Sequence, residues 1–175
     1  AVEGWMAGQG IALQAPLTAR KFAGGQSNPT YLLQAGGDAW VLRRKPPGKL
    51  LKSAHAVDRE FRVQRALAGS DVPIARMVAL CEDESVIGSA FYLMEQVAGR
   101  SFDDPRLTEV PVGERVSYIN EMCRVLAAIH KIDLDAVGLA DYGPRGNYYR
   151  RQIDRWTGQY RATETGGISA MDRLM

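Results

Sequence analysis

The sequence has little cysteine and no long apolar run. Its 175 residues include only Cys81 and Cys123, which lie far apart and form no CxxC or Cys/His spacing, so neither a disulfide framework nor a zinc site is indicated. We interpret both as buried thiols. No apolar run approaches the roughly 20 residues that span a bilayer, and the start lacks a basic segment followed by an apolar one. We therefore expect a cytoplasmic protein without a membrane span.

Charge of one sign is not in excess either. The 22 Lys and Arg residues nearly balance the 20 Asp and Glu residues, and the net charge is +2. Because no segment is strongly basic, nucleic acid is not an expected partner. With 46% hydrophobic and 24% charged residues and no low-complexity tract, the composition is that of a globular protein of about one domain.

Strand and turn patterns fill most of the first hundred residues. Short apolar runs alternate with Gly-rich or polar turns, which is typical of antiparallel strands joined by tight connections. A short helix is expected within residues 1–15, although its glycines weaken it. The fold class predicted is α+β, with a five-stranded antiparallel sheet and one main helix. Strands are predicted from about residue 17 and over 29–34, 39–44, 77–81 and 90–97, with the helix over 53–68.

One carboxylate falls on the apolar side of the predicted helix. Ser53 is a plausible N-cap and Gly69 lies just past the end. Glu60 lies in the middle of the apolar stripe and therefore needs a partner there, unless it reaches the surface and pairs with Arg59 or Arg62. The stripe contains Ala56, Val57, Val63 and Leu67.

The second part of the chain reads as helical. Residues 99–112 are irregular and contain two prolines, so we place a boundary there, between a lobe over 1–98 and a linker with a partial helical lobe over 99–175. Helices are predicted over 114–131 and 148–160. The first of these should pack into a second layer through an apolar stripe. That stripe consists of Val116, Ile119, Met122, Cys123, Leu126, Ile129 and His130.

A Gly-rich turn is the main candidate for a binding site. Glycine allows backbone angles closed to other residues and lets main-chain N–H groups approach a phosphate, and a cation one strand later can neutralise phosphate charge. An ordinary hairpin loop is the alternative for an isolated Gly-Gly pair. The turn consists of Gly24, Gly25, Gln26, Ser27 and Asn28, and the strand after it carries Arg43, Arg44 and Lys45.

Several short motifs occur in a recognisable order. They are Phe22-x-Gly-Gly-Gln-Ser-Asn-Pro-Thr-Tyr, Val41-Leu-Arg-Arg-Lys-Pro-Pro-Gly, Arg59-Glu-Phe, Phe91-Tyr-Leu-Met-Glu with Gly99-Arg100, and Leu126-Ala-Ala-Ile-His. Together they resemble the aminoglycoside phosphotransferase and choline kinase-like family, which has the protein kinase fold. The resemblance is strongest to the phosphotransferase domains related to acyl-CoA dehydrogenase family members.

This resemblance implies a nucleotide-binding role for the first lobe. It places the loop 24–28 over the nucleotide phosphates and Val41 against the adenine. Arg43 matches the position usually held by the third-strand lysine, and Lys45, on the same strand face, competes with it for that role. Glu60 matches the helix glutamate that pairs with that cation.

The resemblance also implies a hinge that recognises adenine through the backbone. The carbonyl of Glu95 would accept a hydrogen bond from the exocyclic amine, and the N–H of Val97 would donate to the ring; Met94 precedes them. A plain buried strand is the alternative reading of this segment. Both interpretations are compatible with the same sequence.

The chain lacks the catalytic segment of that family. His130-Lys131-Ile132-Asp133 and Asp141-Tyr142-Gly143 imitate a catalytic loop and a metal-binding motif, but Asp141 lies only 11 positions after His130, and no His-Gly-Asp follows. We therefore interpret His130 as a packed helix residue. No catalytic or metal-binding residue is predicted in this chain, which we expect to be an inactive fragment of a longer enzyme.

The function implied by the resemblance is phosphoryl transfer from ATP, with Mg²⁺ in the intact enzyme, to a hydroxyl of a small molecule. A hydroxylated acyl group is one acceptor that the acyl-CoA dehydrogenase association suggests, and ATP is not distinguished from GTP. A noncatalytic nucleotide-binding or interaction module is the alternative. A truncated helical lobe would expose apolar area, so a homodimer is a further expectation.

Overall fold

Five short strands form one antiparallel sheet in the computed structural model of the protein, which describes residues 1–23, 27–46 and 55–174. The strand order is β1-β2-β3-β5-β4. This confirms the predicted α+β fold, a kinase-like first lobe followed by helices. The strands are β1 Thr18–Lys21, β2 Thr30–Ala35, β3 Asp38–Arg44, β4 Met77–Cys81 and β5 Phe91–Glu95, and the helices are α1 Val2–Gly8, α2 Val57–Ala66, α3 Arg115–His130, α4 Tyr148–Thr163 and α5 Ser169–Leu174.

The connection between β2 and β3 sets the register of the sheet. Ala35 pairs with Asp38 across a two-residue turn, and Gly36 within it has φ 64°. A side chain there would be strained, and its Cβ would lie 3.2 Å from the Cβ of Gln14. The turn therefore requires glycine, and the pairing it starts brings Thr30 opposite Arg43.

One face of the sheet is covered by α1. Met6 on α1 and Phe91 on β5 have no exposed area, and they pack in one cluster with Leu42 of β3. Trp5 adds an edge-to-face contact with Phe91, with ring centroids 4.8 Å apart. The predicted helix within residues 1–15 is thus present, but only as Val2–Gly8.

The other face of the sheet packs against α2. Val57 and Phe61 of this helix are buried in one cluster with Tyr92 of β5. The predicted stripe is corrected here, because Phe61 belongs to the buried side while Val63 and Leu67 are only half-buried. The helix begins at Val57 after Ala56, and the predicted N-cap Ser53 lies outside the described residues.

The apolar side of α3 is exposed, contrary to the prediction that it packs into a second layer. Within the described residues, the side chains Val116, Met122 and Leu126 are 66%, 63% and 53% exposed. Cys123 and His130 are exposed as well, so the prediction of two buried thiols holds for Cys81 alone. A 3-10 turn at Val112–Glu114 precedes the helix.

The chain divides into two compact units, Ala1–Leu139 and Ala140–Met175. The second unit contains α4 and α5, joined by the ion pair of Arg161 with Asp172 at 2.6 Å. The lobe boundary between residues 98 and 99 stays a prediction. Among the described residues, no helix combines the length and apolar character needed to cross a membrane.

Candidate nucleotide site

An ion pair joins the sheet to α2 on the face that the helix covers. Nε of Arg43, near the end of β3, lies 2.7 Å from Oε2 of Glu60 in the first turn of α2. The Nη2 of Arg43 lies 3.4 Å from Oε1 of the same carboxylate. Both side chains are about 30% exposed, at 30% and 31%. The partner that the position of Glu60 requires is therefore Arg43.

Two further donors reach the carboxylate of Glu60. Nδ2 of Asn28 donates to Oε1 at 2.8 Å, and the hydroxyl of Tyr92 donates to Oε2 at 3.2 Å. Asn28 is 3% exposed and Tyr92 is 1% exposed. Each oxygen of Glu60 thus accepts two hydrogen bonds, an arrangement that only a carboxylate satisfies without a clash of donors.

Three more side chains complete the hydrogen-bonded cluster. Nη1 of Arg43 donates to Oγ1 of Thr30 at 3.2 Å, and this hydroxyl donates to the carbonyl of Asn28 at 3.0 Å. Nδ1 of His55 lies 3.0 Å from Oδ1 of Asn28. Nε2 of Gln64 donates to the Tyr92 hydroxyl at 3.2 Å. We call these side chains the Glu60 cluster: Asn28, Thr30, Arg43, His55, Glu60, Gln64 and Tyr92.

The cluster shifts the proton affinities of its members. The hydrogen bond to Glu60 raises the pKa of Arg43 further above its usual value, with the charge of Glu60 adding to it against the effect of burial. Burial is the main cause that raises the pKa of Tyr92 to about 12, and the nearby charge of Glu60 acts in the same direction. Arg43 therefore stays charged and Tyr92 stays a hydrogen-bond donor at neutral pH.

The raised pKa of Tyr92 gives a test of the cluster at high pH. An unfolded tyrosine ionises near its ordinary pKa of about 10, before the folded one, so wild-type stability should fall between pH 10 and about 12. The loss attributable to Tyr92 over the whole window is roughly 3 kcal/mol. The free energy of unfolding of Tyr92→Phe, measured in urea by tryptophan fluorescence, should not show this part of the decrease with pH. Tyr149→Phe, at an exposed position, is the matched control, and parallel slopes for wild type and Tyr92→Phe would contradict the assignment.

Only the end of the predicted phosphate loop lies within the described residues. Gly24, Gly25 and Gln26 are outside them, so their predicted contacts with phosphate stay predictions. Ser27 is exposed, whereas Asn28 is buried and bonded to Glu60. The described end of the loop is therefore tied to the ion pair.

The predicted adenine-binding residues lie next to the cluster. Val41 is 7% exposed and pairs across the β3–β5 ladder with Met94, two residues along each strand from the Arg43–Tyr92 pair. The predicted period-two alternation thus holds for Val41 and Arg43. Their predicted roles as adenine cap and phosphate cation stay predictions.

The predicted hinge begins at the end of β5. Glu95 is its last strand residue, and Val97 beyond it is 65% exposed. The Glu95 carboxylate has a structural role that the sequence did not indicate. Its Oε1 accepts a hydrogen bond from the N–H of Arg76 at 2.9 Å, while the Glu95 N–H donates to the carbonyl of Arg76 at 2.9 Å. This double link fixes the end of β5 against the start of β4.

The competing cation, Lys45, lies just after β3. Its backbone N–H donates to the carbonyl of Ala90, and its carbonyl accepts from the Ser89 hydroxyl at 3.2 Å. Within residues 1–23, 27–46 and 55–174, its side chain contacts no carboxylate. The ion pair with Glu60 is thus formed by Arg43, and which of the two cations contacts phosphate stays a prediction.

The first imitation of a catalytic motif, His130 to Asp133, lies at the end of α3 and in the turn after it. His130 is the last residue of α3 and is exposed, so its expected place in a packed stripe is wrong. The carboxylate of Asp133 accepts hydrogen bonds from the N–H groups of Asp135 at 2.9 Å and Ala136 at 3.2 Å. Asp133 therefore stabilises its own turn.

The residues that sequence reasoning missed are those that surround the ion pair. Tyr92 and Thr30 lie within motifs of the family resemblance but had no predicted role, and Gln64 and His55 carry no signal in the sequence. Pairing of β3 with β5 brings Tyr92 opposite Arg43, and this pairing joins strands separated by about fifty residues. Period-two alternation within β5, combined with that register, is the signal that could have found Tyr92.

Comparison with known proteins decides the family. The sequence pattern of the phosphotransferase enzyme family matches residues 18–175. The chain belongs to this family. The Glu60 cluster and the kinase-like sheet thus lie within the matched region, and so does every predicted site residue.

Relatives with high sequence identity are much longer than this chain and are named as acyl-CoA dehydrogenases or acyl-CoA dehydrogenase family members. The chain is 51% identical over 152 residues to the "Probable acyl-CoA dehydrogenase IBR3" of Arabidopsis thaliana, covering 84% of this chain and 18% of that protein. It is 46% identical over 160 residues to acyl-CoA dehydrogenase family member 10 of Mus musculus, covering 91% and 15%. The phosphotransferase chain thus spans less than a fifth of these two curated relatives.

Solved structures confirm the fold. A "putative aminoglycoside phosphotransferase" from Ralstonia eutropha has a TM-score of 0.80 and 50% identity, and the match covers 99% of this chain and 50% of that one. The aminoglycoside 2′-phosphotransferase-IIIa has a TM-score of 0.62 at 17% identity, covering 99% and 55%. The chain thus spans about half the length of both solved proteins.

Proposed function

We propose that this chain is the nucleotide-binding part of an ATP-dependent phosphotransferase that acts on a hydroxyl of a small molecule. The observation that carries the proposal is the Arg43–Glu60 pair, 2.7 Å between Nε and Oε2, at the positions where the family resemblance implies the phosphate cation and its helix partner. A fixed cation in this place neutralises charge on the transferred phosphoryl group. Family membership supports a phosphotransferase activity for the parent protein.

The donor set of Arg43 fits a nucleotide phosphate. Its bonds to Glu60 and Thr30 use three N–H groups of the guanidinium, and a guanidinium carries five. The remaining N–H groups suit the oxygens of a phosphate. In this proposal Gly24, Gly25, Gln26 and Ser27 offer backbone N–H groups to the same phosphates. Val41 covers the adenine, and the backbone from Met94 to Val97 binds its edge.

Nucleotide complexes of proteins with the same fold support this proposal. The aminoglycoside 2′-phosphotransferase-IIIa was solved with GDP, and a variant of APH(4)-Ia was solved with AMP-PNP and hygromycin B, at 18% identity to this chain. Adenine and guanine nucleotides both occur among them. We propose ATP for this chain, with GTP as an outcome to be tested in the same assay.

We assign no residue of this chain to a magnesium ion. Glu60, the carboxylate of the cluster, already accepts hydrogen bonds on both oxygens. When bound in the intact enzyme, Mg²⁺ supplies neutralisation of phosphate charge. We propose that the catalytic base and the metal ligands lie outside these 175 residues, so that this chain alone transfers no phosphoryl group.

The acceptor we propose is a hydroxylated acyl compound. In the reaction the acceptor oxygen forms a bond to the γ-phosphorus, the bond from that phosphorus to ADP breaks, and the hydroxyl proton passes to a base. The names of the relatives, acyl-CoA dehydrogenase family members, support this acceptor class over an aminoglycoside. A noncatalytic nucleotide-binding module is the competing function.

The experiment is ADP release by the intact parent protein with Mg-ATP and three acceptor sets. These are hydroxylated acyl-coenzyme A thioesters, the corresponding free hydroxy acids, and aminoglycosides. We expect acceptor-dependent ADP release with one of the hydroxyacyl sets and none from this chain alone. Binding of Mg-ATP by calorimetry without turnover on any acceptor would favour the noncatalytic module. Absence of nucleotide binding at millimolar concentration in the intact protein would refute the nucleotide site itself.

A further inference from the structure

The amide of Asn28 is the most deeply buried polar group of the Glu60 cluster after Tyr92. It is 3% exposed, and it bridges two segments that are distant in sequence. Its Nδ2 donates to Glu60, 32 residues away, and its Oδ1 contacts Nδ1 of His55, 27 residues away. Burial of an amide is costly unless its groups are paired, and here both ends have partners.

The chemistry of the partners fixes the orientation of this amide. An ionised carboxylate only accepts hydrogen bonds, so the NH₂ group of Asn28 must face Glu60 and its oxygen must face His55. Nδ1 of His55 therefore carries a proton and donates. His55, two residues before the start of α2, has φ 58°, a left-handed conformation that is uncommon outside glycine. The bond to Asn28 helps to hold it there.

Asn28 also closes a ring of hydrogen bonds with the ion pair. Its side chain donates to Glu60, Glu60 accepts from Arg43, Arg43 donates to Thr30, and the Thr30 hydroxyl donates back to the backbone carbonyl of Asn28. A displacement of Asn28 therefore disturbs both the carboxylate and the guanidinium. Four members linked in a ring restrict each other more than a single ion pair would.

We propose that Asn28 is a positioning residue that couples the end of the phosphate loop to the Arg43–Glu60 pair. The inference rests on the proposed nucleotide site. Asn28 is the last residue of the predicted loop, and its side chain is bonded to Glu60 and not to solvent. Because Glu60 in turn accepts from Arg43, the Asn28 side chain acts on the phosphate cation through Glu60. The loop end and the phosphate cation then hold their positions together. Loss of the amide should raise the KM for ATP and reduce kcat, while the KM for the acceptor stays unchanged.

Asn28→Asp in the intact parent protein tests this coupling. The new carboxyl has nearly the same shape but places a second negative charge 2.8 Å from Oε1 of Glu60. The charged or titratable groups that face it are Glu60 from α2, Arg43 from β3, Tyr92 from β5, and His55. We expect about tenfold weaker binding of Mg-AMP-PNP at about pH 8, because two carboxylates so close repel each other.

Lowering the pH should restore binding in this variant. At a lower pH, set at about 5.5 in the experiment, a proton shared between the two carboxyls would recreate the hydrogen bond and the single negative charge of wild type. The ratio of variant to wild-type affinity should therefore return toward one. A residue that serves only to stabilise the lobe would lower the thermal unfolding midpoint of the variant at about pH 8 without changing the affinity of the folded protein, so the midpoint is measured at both pH values.

Gln34→Glu is the matched control, since it makes the same change from amide to carboxylate at an exposed position of β2. It should bind the analogue like wild type at both pH values. Asn28→Ala covers the case in which Asn28→Asp does not fold, and it should weaken binding severalfold at both pH values. If either Asn28 variant bound the analogue with the affinity of wild type, the coupling would be refuted, while the proposed nucleotide site would stand. If the wild-type protein binds no nucleotide, the proposed function and this inference fall together.

Discussion

Glu60→Gln in the intact phosphotransferase is expected to reduce kcat/KM for ATP by about thirtyfold or more, because the partly exposed ion pair loses one of its charges. The glutamine has nearly the same shape, but it offers one oxygen and one NH₂ group. The carboxylate of Glu60 receives donors on both oxygens, from Asn28, Arg43 and Tyr92. In either orientation of the new amide, its NH₂ group faces a donor, and Arg43 loses its counter-charge.

The measurement is steady-state turnover together with calorimetry of Mg-ATP binding. Glu84→Gln is the matched control, because it makes the same change at an exposed position in the turn before β5 and should leave both quantities unchanged. A thermal unfolding midpoint for each variant separates loss of the site from loss of the fold. Unchanged ATP affinity and unchanged turnover in a folded Glu60→Gln variant would refute the pairing role.

Arg43→Met should have the larger effect, about a hundredfold or more in kcat/KM, because the cation that neutralises phosphate charge is removed. Methionine retains the length and much of the apolar stem of arginine, so packing on β3 is disturbed little. The variant also leaves Glu60 without its charge partner at a half-buried position.

Two further variants decide between the candidate cations. Arg43→Lys keeps the charge but loses the fork of donors, so it should retain more activity than Arg43→Met while losing the simultaneous bonds to Glu60 and Thr30. Lys45→Met should have a small effect on ATP affinity. If Lys45→Met produced the hundredfold loss and Arg43→Met did not, Lys45 would be the phosphate cation.

The positions of the strands along the chain could be predicted well because their signals are local. Gly36 and Gly37 lie between two apolar runs, and the structure has a two-residue turn there that pairs Ala35 with Asp38. The position of Glu60 on the apolar side of α2 predicted that its carboxylate needs a partner for the same reason. Helix periodicity is a property of the segment itself, so a misplaced charge is visible before the fold is known.

Other expectations failed where the surroundings decide. The apolar side of α3 predicted a packed layer, yet Val116 and Met122 are exposed, because packing requires a second surface that periodicity does not supply. The stripe of α2 omitted Phe61, which is buried because Tyr92 lies opposite, with ring centroids 5.9 Å apart. Cys123 was expected to be a buried thiol, but it belongs to the same stripe of α3 and is exposed.

The sequence by itself determined the strands and helices of the sheet lobe, the family resemblance, and the position of Glu60 where a carboxylate needs a partner. These follow from turn residues, periodicity and motif order, all of which are encoded over short distances along the chain. Only the tertiary structure decided that Arg43 is the partner of Glu60 and that Asn28, Thr30, Tyr92 and His55 enclose this ion pair. Their contacts depend on the register of β3 with β5 and on the seat of α2 against the sheet. Both are fixed by packing of residues far apart in sequence, and no local pattern carries that information.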